Sequence, residues 1–349
     1  MSAEIELKLL VNQEFATFLS KEMASFNVLS HTQQILGNCY YDTPDDFFSS
    51  RRMGLRVRTI NEQFILTLKT DGEVIGGLHM RPEYDVELDS AVPRLQGLSR
   101  FGDLQLARPL AELQAELKPI FSTDFLRQAW VIELGNGANI EVALDQGEIE
   151  ANDRIEPICE VEFELKHGSV DDLLTFVEQL SLSDGIRLGA VNKAKRGYQL
   201  AGVLPLQPFD WQAEWQNLPL ADPSPSAVLT ALLAYEQRLT DYYAELLTGG
   251  ELSAEIVDSG LAAFAALYAY YDQHQALLWQ AYERVPSKVR LDDESINEFI
   301  ELNQRVLAKV NELQRSAHTP NRTLYCYELL HRGNGVKRQL HLIKLTLNA

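Results

Sequence analysis

Up to about residue 202 the chain consists of short runs in which apolar side chains occupy every second position. Ile5, Leu7 and Leu9 alternate with Glu4, Glu6 and Lys8, and Val161, Phe163 and Leu165 alternate with Glu160, Glu162 and Glu164. Successive side chains of a strand point to opposite faces, so this period of two predicts half-buried β-strands. Strands are expected over 5–11, 55–60, 64–70, 81–88, 129–134, 140–144 and 158–165, with turn signals at 70–73 and 136–137. Helical patterning replaces the alternation over 12–26, 109–117 and 169–182. So many strands with so few helices predict an antiparallel sandwich or barrel carrying attached helices.

The pattern changes after residue 202. Pro205, Pro208, Pro219, Pro223 and Pro225 crowd a stretch that also holds Trp211 and Trp215. This reads as a linker whose tryptophans pack against something. From residue 226 apolar positions recur at helical spacing: Val228, Leu229, Leu232, Leu233 and Leu239, then Leu261, Phe264, Leu267 and Tyr268. Further helices are expected over 295–315 and 323–330. The expected organisation is a β-rich domain over 1–202, a Pro-rich linker over 203–225, and a smaller all-α domain of four or five helices over 226–349.

Composition narrows the class. The 349 residues include 50 acidic and 31 basic side chains, a formal charge of −19, with 46% hydrophobic residues. That is a globular composition, and its negative balance argues against a nucleic-acid polymer as partner. The three cysteines, Cys39, Cys159 and Cys326, are too far apart for a disulfide framework or a zinc motif. The first residues do not read as a signal peptide, and the longest apolar run, 261–271, is too short for the roughly 20 residues of a bilayer span. A cytoplasmic protein without a membrane partner is expected; the oligomeric state is left open.

The chemistry lies in what alternates with the apolar positions. Arg56 and Arg58 share one strand face, as do Arg81, Glu83 and Asp85, and Lys69 ends another strand. Taken singly, each is a solvated face. Across five strands the polar positions are nearly pure in Glu, Asp, Arg and Lys, where solvent faces would mix in Ser, Thr and Gln. If the sheet closes, those charges line its interior, and burial then demands mutual pairing, a metal or a charged ligand. Paired carboxylates such as Glu4/Glu6 and Glu160/Glu162 suit a hard divalent cation, and arginines and lysines suit phosphoryl oxygens. A lumen with both reads as a metal-assisted polyphosphate site.

Glu4-x-Glu6-x-Lys8 at the start of the chain resembles the signature of the CYTH superfamily, the triphosphate tunnel metalloenzymes. The resemblance continues in order through Arg56-x-Arg58, Lys69, Arg81-x-Glu83-x-Asp85, Arg127, Asp145, Glu160-x-Glu162 and Lys193, across nearly all of 1–202. The text around Tyr40-Tyr41-Asp42-Thr43-Pro44 and Lys193-x-x-Arg196-Gly197-Tyr198 is similar to bacterial inorganic triphosphatases with a C-terminal CHAD-like helical domain. The resemblance implies an α+β fold, a closed eight-stranded antiparallel β-tunnel with flanking helices that threads a linear triphosphate. It assigns Lys8, Arg56, Arg58, Lys69, Arg81, Arg127 and Lys193 to the substrate. It assigns Glu4, Glu6, Asp145, Glu160 and Glu162 to metal, with Mg²⁺ the expected ion and Mn²⁺ the alternative. Glu4, Glu6, Lys8, Lys69 and Lys193 are the expected catalytic set; Glu83 and Asp85 are additional tunnel acids that pair with Arg81 or meet the ligand.

The implied activity is hydrolysis of inorganic triphosphate to pyrophosphate and orthophosphate. Alternatives within the same tunnel are thiamine or nucleoside triphosphate hydrolysis and adenylate cyclase activity. An alternative of another class is a polyphosphate- or nucleotide-binding module without turnover. The helical part is expected to stabilise the tunnel or mediate dimerisation. Its basic run Arg332, Lys337, Arg338 and Lys344 keeps phosphate-polymer binding as the second reading.

Overall fold

In a computed structural model describing residues 4–248, 252–285 and 291–347, the alternating segments form one antiparallel sheet. Its strands are β1 (Glu4–Val11), β2 (Val28–Asp42), β3 (Gly54–Ile60), β4 (Gln63–Lys69), β5 (Glu73–Ile75), β6 (Leu78–Arg81), β7 (Glu83–Leu88), β8 (Lys118–Glu133), β9 (Asn139–Ala151), β10 (Arg154–His167) and β11 (Ile186–Leu188). They are ordered β5-β6-β1-β10-β9-β8-β2-β3-β4-β7, with β11 beside β1. β6 pairs with β1, placing Arg81 opposite Glu4, and β7 pairs with β4, placing Glu83 opposite Lys69. Only Pro82 separates β6 from β7, and proline has no N–H for a ladder. One kinked strand therefore leaves the partner at one side of the sheet and joins the partner at the other, and the sheet curls into a tunnel. Counted with β6 and β7 as one, the wall has eight strands, and β5 and β11 are short additions.

The apolar positions face outward, under helices. Leu7, Leu9, Val161 and Phe163 are fully buried beneath α1 (Gln13–Glu22) and α3 (Val170–Glu178), whose Phe15, Leu19, Leu173 and Phe176 meet them. Burial of each such side chain contributes about 1.5–3 kcal/mol. Leu55, Val57, Leu66, Leu68 and Tyr84 are covered on the opposite side by Leu95, Leu98 and Leu113, the last from α2 (Leu110–Glu116). With apolar side chains outside, the charged positions point into the lumen.

Two strand expectations are corrected. β2 was not anticipated, because most of residues 28–35 are exposed and show no apolar alternation; that half is held by pairing with β8. β8 and β9 run longer than expected for the same reason, extending beyond the buried patch as a ladder of paired residues from Ser122↔Glu150 to Glu133↔Asn139.

After β11 come α4 (Lys193–Ala201), α5 (Trp211–Gln216), α6 (Pro225–Thr248), α7 (Ala254–Gln273), α8 (Gln275–Tyr282), α9 (Asp293–Arg315), α10 (Pro320–Leu330) and α11 (Gly333–Leu347). From α6 onward there are six helices among the described residues, more than the expected four or five. α5 lies within the Pro-rich stretch: Trp211 Nε1 donates to Ser259 Oγ at 3.1 Å, and the Trp215 ring packs 5.4 Å from Tyr235. The basic run is a correction as well. Arg338 and Lys344 are 1% exposed on α11, paired with Glu236 and Glu178, and Lys337 pairs with Glu298 at 2.7 Å. These three cations tie α11 into the molecule, and Arg332, the fourth of the run, stands just before that helix. The apolar core runs without a break from β1 and α3 into α6 and α11. Gly76, at φ +62°, sits where a side chain would meet Ile343 and Leu233. Among the described residues no helix is long and apolar enough to cross a membrane.

Candidate active site in a charged tunnel

The lumen forms a cavity of about 860 Å³ whose lining includes Glu4, Glu6, Lys8, Arg56, Arg58, Lys69, Arg81, Glu83, Asp85, Arg127, Glu162 and Lys193. The strand period puts them there: Glu4, Glu6 and Lys8 are alternate residues of β1, as are Arg56 and Arg58 of β3. Cross-strand register then decides which charges meet. Lys8 lies opposite Glu162, and Glu160 opposite Asp145, which lies opposite Arg127.

The densest cluster gathers Asp145, Glu160 and Glu162, which offer one oxygen each within 4.8 Å of one another. Lys8 Nζ donates to Glu160 at 2.9 Å and Glu162 at 2.8 Å. Arg127 clamps Asp145 through two bonds of 2.7 Å and reaches Glu162 at 2.6 Å. Lys193 Nζ meets Asp145 at 2.7 Å, Glu162 at 2.9 Å and Glu160. Lys193 is the first residue of α4, a helix capped by Asn192, whose side chain accepts from the Lys195 N–H at 2.8 Å. Gly197 lets this helix seat against β8, since a Cβ there would overlap the Phe121 ring. Burial pushes the Glu160 and Glu162 carboxyls up, but the ammoniums of Lys193 and Lys8 outweigh it and hold both below the ordinary carboxylate range. Burial also opposes the charge on Lys8, and Glu160 and Glu162 reverse that, raising its pKa.

A second group lies along β1, β4 and β7. Lys69 pairs with Glu4 at 2.5 Å and with Glu83 at 3.4 Å, and Arg56 approaches Glu83 at 3.5 Å. Asp85 accepts from Thr67 Oγ1 at 2.6 Å, and Arg81 donates to His79 Nδ1 at 2.9 Å. Arg81, Glu83 and Asp85 therefore do not pair with one another: each turns to a neighbouring strand or, for Arg81, to a residue two positions back. Glu4 and Glu6 are not among the three acids that converge at Asp145–Glu160–Glu162, although Glu6 acts on Lys8, which bonds two of them. His79 is 1% exposed, its Nε2 is 3.1 Å from the Gly189 carbonyl, and burial lowers its pKa to about 4. It is a neutral strut in the tunnel wall.

Two arginines retain donor capacity. Arg58 hydrogen-bonds Asn38 Oδ1 at 2.8 Å and forms no ion pair among the described residues. Burial and the nearby guanidiniums of Arg56 and Arg127 lower its pKa to about 9. The Nε of Arg56 is buried without a hydrogen-bond partner. Arg56 and Arg127 have carboxylate partners in Glu83, Asp145 and Glu162, so Arg58 is the one of the three without a direct ion pair among the described residues, and a buried cation of that kind favours a nearby anion.

Sequence reasoning left several wall residues without a role. Arg196 bonds Glu160 at 3.2 Å and Glu156 at 2.6 Å; its spacing of three from Lys193 on a helix was the available signal. Glu164 continues the Glu160–Glu162 alternation and lines the cavity with Glu141 and Lys166. Ala234, Gln237 and Arg238 of α6 also line it, and no local pattern marks them.

The sequence profile of the CYTH domain matches residues 2–198. The chain belongs to the CYTH domain family. An inorganic triphosphatase of Haemophilus influenzae is 37% identical over 327 residues, covering 90% of this chain and 88% of that protein. Solved structures that match part of the chain include HpAC1 from Hippeastrum, noted for a dominant triphosphatase activity, at TM-score 0.41 and 21% identity, covering 59% of this chain and 100% of that one. Another is the PH1819 protein from Pyrococcus horikoshii, at TM-score 0.33 and 22% identity, covering 50% of this chain and 85% of that one. The matched CYTH region spans all eleven strands and ends within α4, so it includes every lumen residue predicted from the sequence.

Proposed function

We infer that this CYTH protein is an inorganic triphosphatase, cleaving a linear triphosphate inside the tunnel to pyrophosphate and orthophosphate. The observation that carries the reading is Arg58, a lumen cation with no ion pair among the described residues, lining with Arg56 and Arg127 a cavity beside which three carboxylates converge. A linear polyanion supplies the missing countercharge along the tunnel, and its oxygens match the forked donors of Arg56, Arg58 and Arg127.

Asp145, Glu160 and Glu162 fit a hard divalent cation: they are oxygen donors only, and they converge. Mg²⁺ is the proposed ion, with Mn²⁺ the alternative. When bound, such an ion polarises phosphoryl oxygens and lowers the pKa of a bound water. The remaining work belongs to the chain. Arg56, Arg58, Arg127 and Lys69 align the phosphates and neutralise charge that develops on the leaving pyrophosphate. Lys8 and Lys193 hold Glu160 and Glu162 here; where those carboxylates held a divalent cation, both ammoniums would be free to bind phosphoryl oxygens. Glu4 and Glu6, not among the three converging acids, are proposed as acids that position water or a second ion. A pure polyanion binder would gain nothing from the converging carboxylates of Asp145, Glu160 and Glu162, with Glu4 and Glu6 on the same wall, which disfavours the module without turnover.

The test is phosphate release with Mg²⁺ for the parent and for Arg58→Ala. The variant is expected to raise KM for triphosphate by about tenfold or more, equivalent to losing a charge-assisted contact of about 1.5–3 kcal/mol. An unchanged KM in a folded Arg58→Ala protein removes the observation on which the reading rests.

A further inference from the structure

Exposed cations gather where the tunnel meets α4 and α6. Along β10, the alternate residues Glu160, Glu162, Glu164 and Lys166 run away from α4, which holds Glu160 through Lys193 and Arg196. Farther from α4, Glu164 and Glu141 share Lys166, at 2.7 and 3.8 Å. The cavity is also lined by Arg52, Lys195 and Arg238, all exposed and contributed by three separate segments; Gly54, two residues after Arg52, lies against Ala194 of α4, beside Lys195. Arg52 precedes β3, Lys195 lies on α4, and Arg238 comes from α6 in the helical half of the chain.

These cations are lightly engaged. Arg52 is 3.8 Å from Asp71, with both side chains more than half exposed. Arg238 pairs with Glu214 at 2.9 Å, and that pair is also open to solvent. Exposed pairs of this kind contribute about 0–1 kcal/mol, so an incoming polyanion displaces them at small cost. The α6 side of the mouth is firmly placed. Gln237, one residue before Arg238, is 3% exposed and donates to the Leu188 carbonyl at 3.3 Å and to Asp241 at 3.1 Å, while Asp241 pairs with Arg187.

We propose that Arg52, Lys195 and Arg238 form a cationic collar through which a linear phosphate anion enters the tunnel, with the helical region supplying one third of it. In a protein of charge −19 the long-range field repels a polyanion, and a local cluster of cations at one mouth creates an attractive funnel. The collar rests on the polyanion reading above. It acts on capture and not on the bond-breaking step, because its side chains stand outside the Arg56–Arg58–Arg127 group.

The experiment compares the full-length parent with the triple variant Arg52→Gln/Lys195→Gln/Arg238→Gln. A charge-matched control, Lys21→Gln/Arg94→Gln/Arg305→Gln, changes exposed cations away from the cavity. Binding of inorganic triphosphate is read by calorimetry in EDTA, and turnover with Mg²⁺ over a series of salt concentrations. The collar variant is expected to weaken triphosphate binding and lower kcat/KM by about tenfold at low salt, with kcat little changed. The deficit should shrink toward zero at about 0.5 M salt, where screening lengths fall to a few ångströms. The control should stay within about twofold of the parent. Equal binding and equal salt slopes in parent and collar variant overturn the collar. A parent that binds triphosphate without hydrolysing it, while the collar variant binds weakly, keeps the collar and overturns the triphosphatase reading. A parent that neither binds nor hydrolyses overturns both.

Discussion

Asp145 has no exposed surface and holds three charged donor contacts of 2.7 Å, two from Arg127 and one from Lys193. Around it the cations Lys8, Arg127, Lys193 and Arg196 already outnumber the acids Asp145, Glu160 and Glu162. Asp145→Asn would turn an acceptor into a donor facing guanidinium and ammonium groups. It is expected to lower unfolding stability by about 3 kcal/mol, read as a shift of the urea midpoint; a shift below about 0.5 kcal/mol would show that the cluster is solvated and loosely held. The inward face at this scale was legible from alternate residues alone, because a closed sheet leaves no other place for Glu4, Glu6, Lys8 and Glu160. The partners of those residues were not, since Lys8 meets Glu160 across 152 positions of sequence. Register between distant strands is set by turns and packing that no single run of residues encodes.

α4 has nine residues and carries both Lys193 and Arg196 into the acidic cluster. Its depth depends on Gly197, where a Cβ would overlap Phe121. Gly197→Ala should cost about 1–3 kcal/mol by overpacking and should reduce kcat by more than a thermal shift of that size explains, because Lys193 moves with the helix. Parallel melting and rate measurements decide it; full activity at a lowered melting temperature would mean that the helix does not position the cluster. β2 and α11 were the elements least readable beforehand. Half of β2 is exposed and pairs through its backbone with β8. The cations of α11 look like a solvated tail until Glu178 and Glu236 are seen to bury them.

The helical half and the tunnel share one apolar core, and backbone bonds cross between them, as in the Gly185 N–H to His331 carbonyl bond of 2.6 Å. Residues 1–202 expressed alone would expose the surface around Gly76, Leu182 and Leu188 that α6 and α11 cover. That fragment is expected to lose cooperative unfolding and to aggregate, as read by calorimetry and light scattering; a monomeric fragment with a sharp transition would make the helical half separable. Acid should destabilise the whole chain in two steps. Burial holds His331 and His341 neutral, lowering both from 6.5 to about 4, so their contribution is present above pH 6.5 and fades as pH falls toward 4. Glu160 and Glu162 are also depressed, so their contribution is present above about 4.5 and is lost below it. Urea midpoints should hold from pH 8 to about 6.5, fall from there toward pH 4 and fall further below about 4.5; a midpoint that rises between about pH 6.5 and 4 would contradict the histidine assignment, and one that rises below about 4.5 the glutamate assignment.

Which phosphate compound the protein cleaves decides its function most directly. Initial rates of phosphate release with Mg²⁺ from inorganic triphosphate, ATP, thiamine triphosphate and pyrophosphate, for the parent and for Glu160→Gln/Glu162→Gln, test it in a single assay. The predicted result is fastest release from inorganic triphosphate, and a loss of at least about a hundredfold in the variant. Equal or faster release from ATP, or a folded variant with undiminished rate, would contradict it.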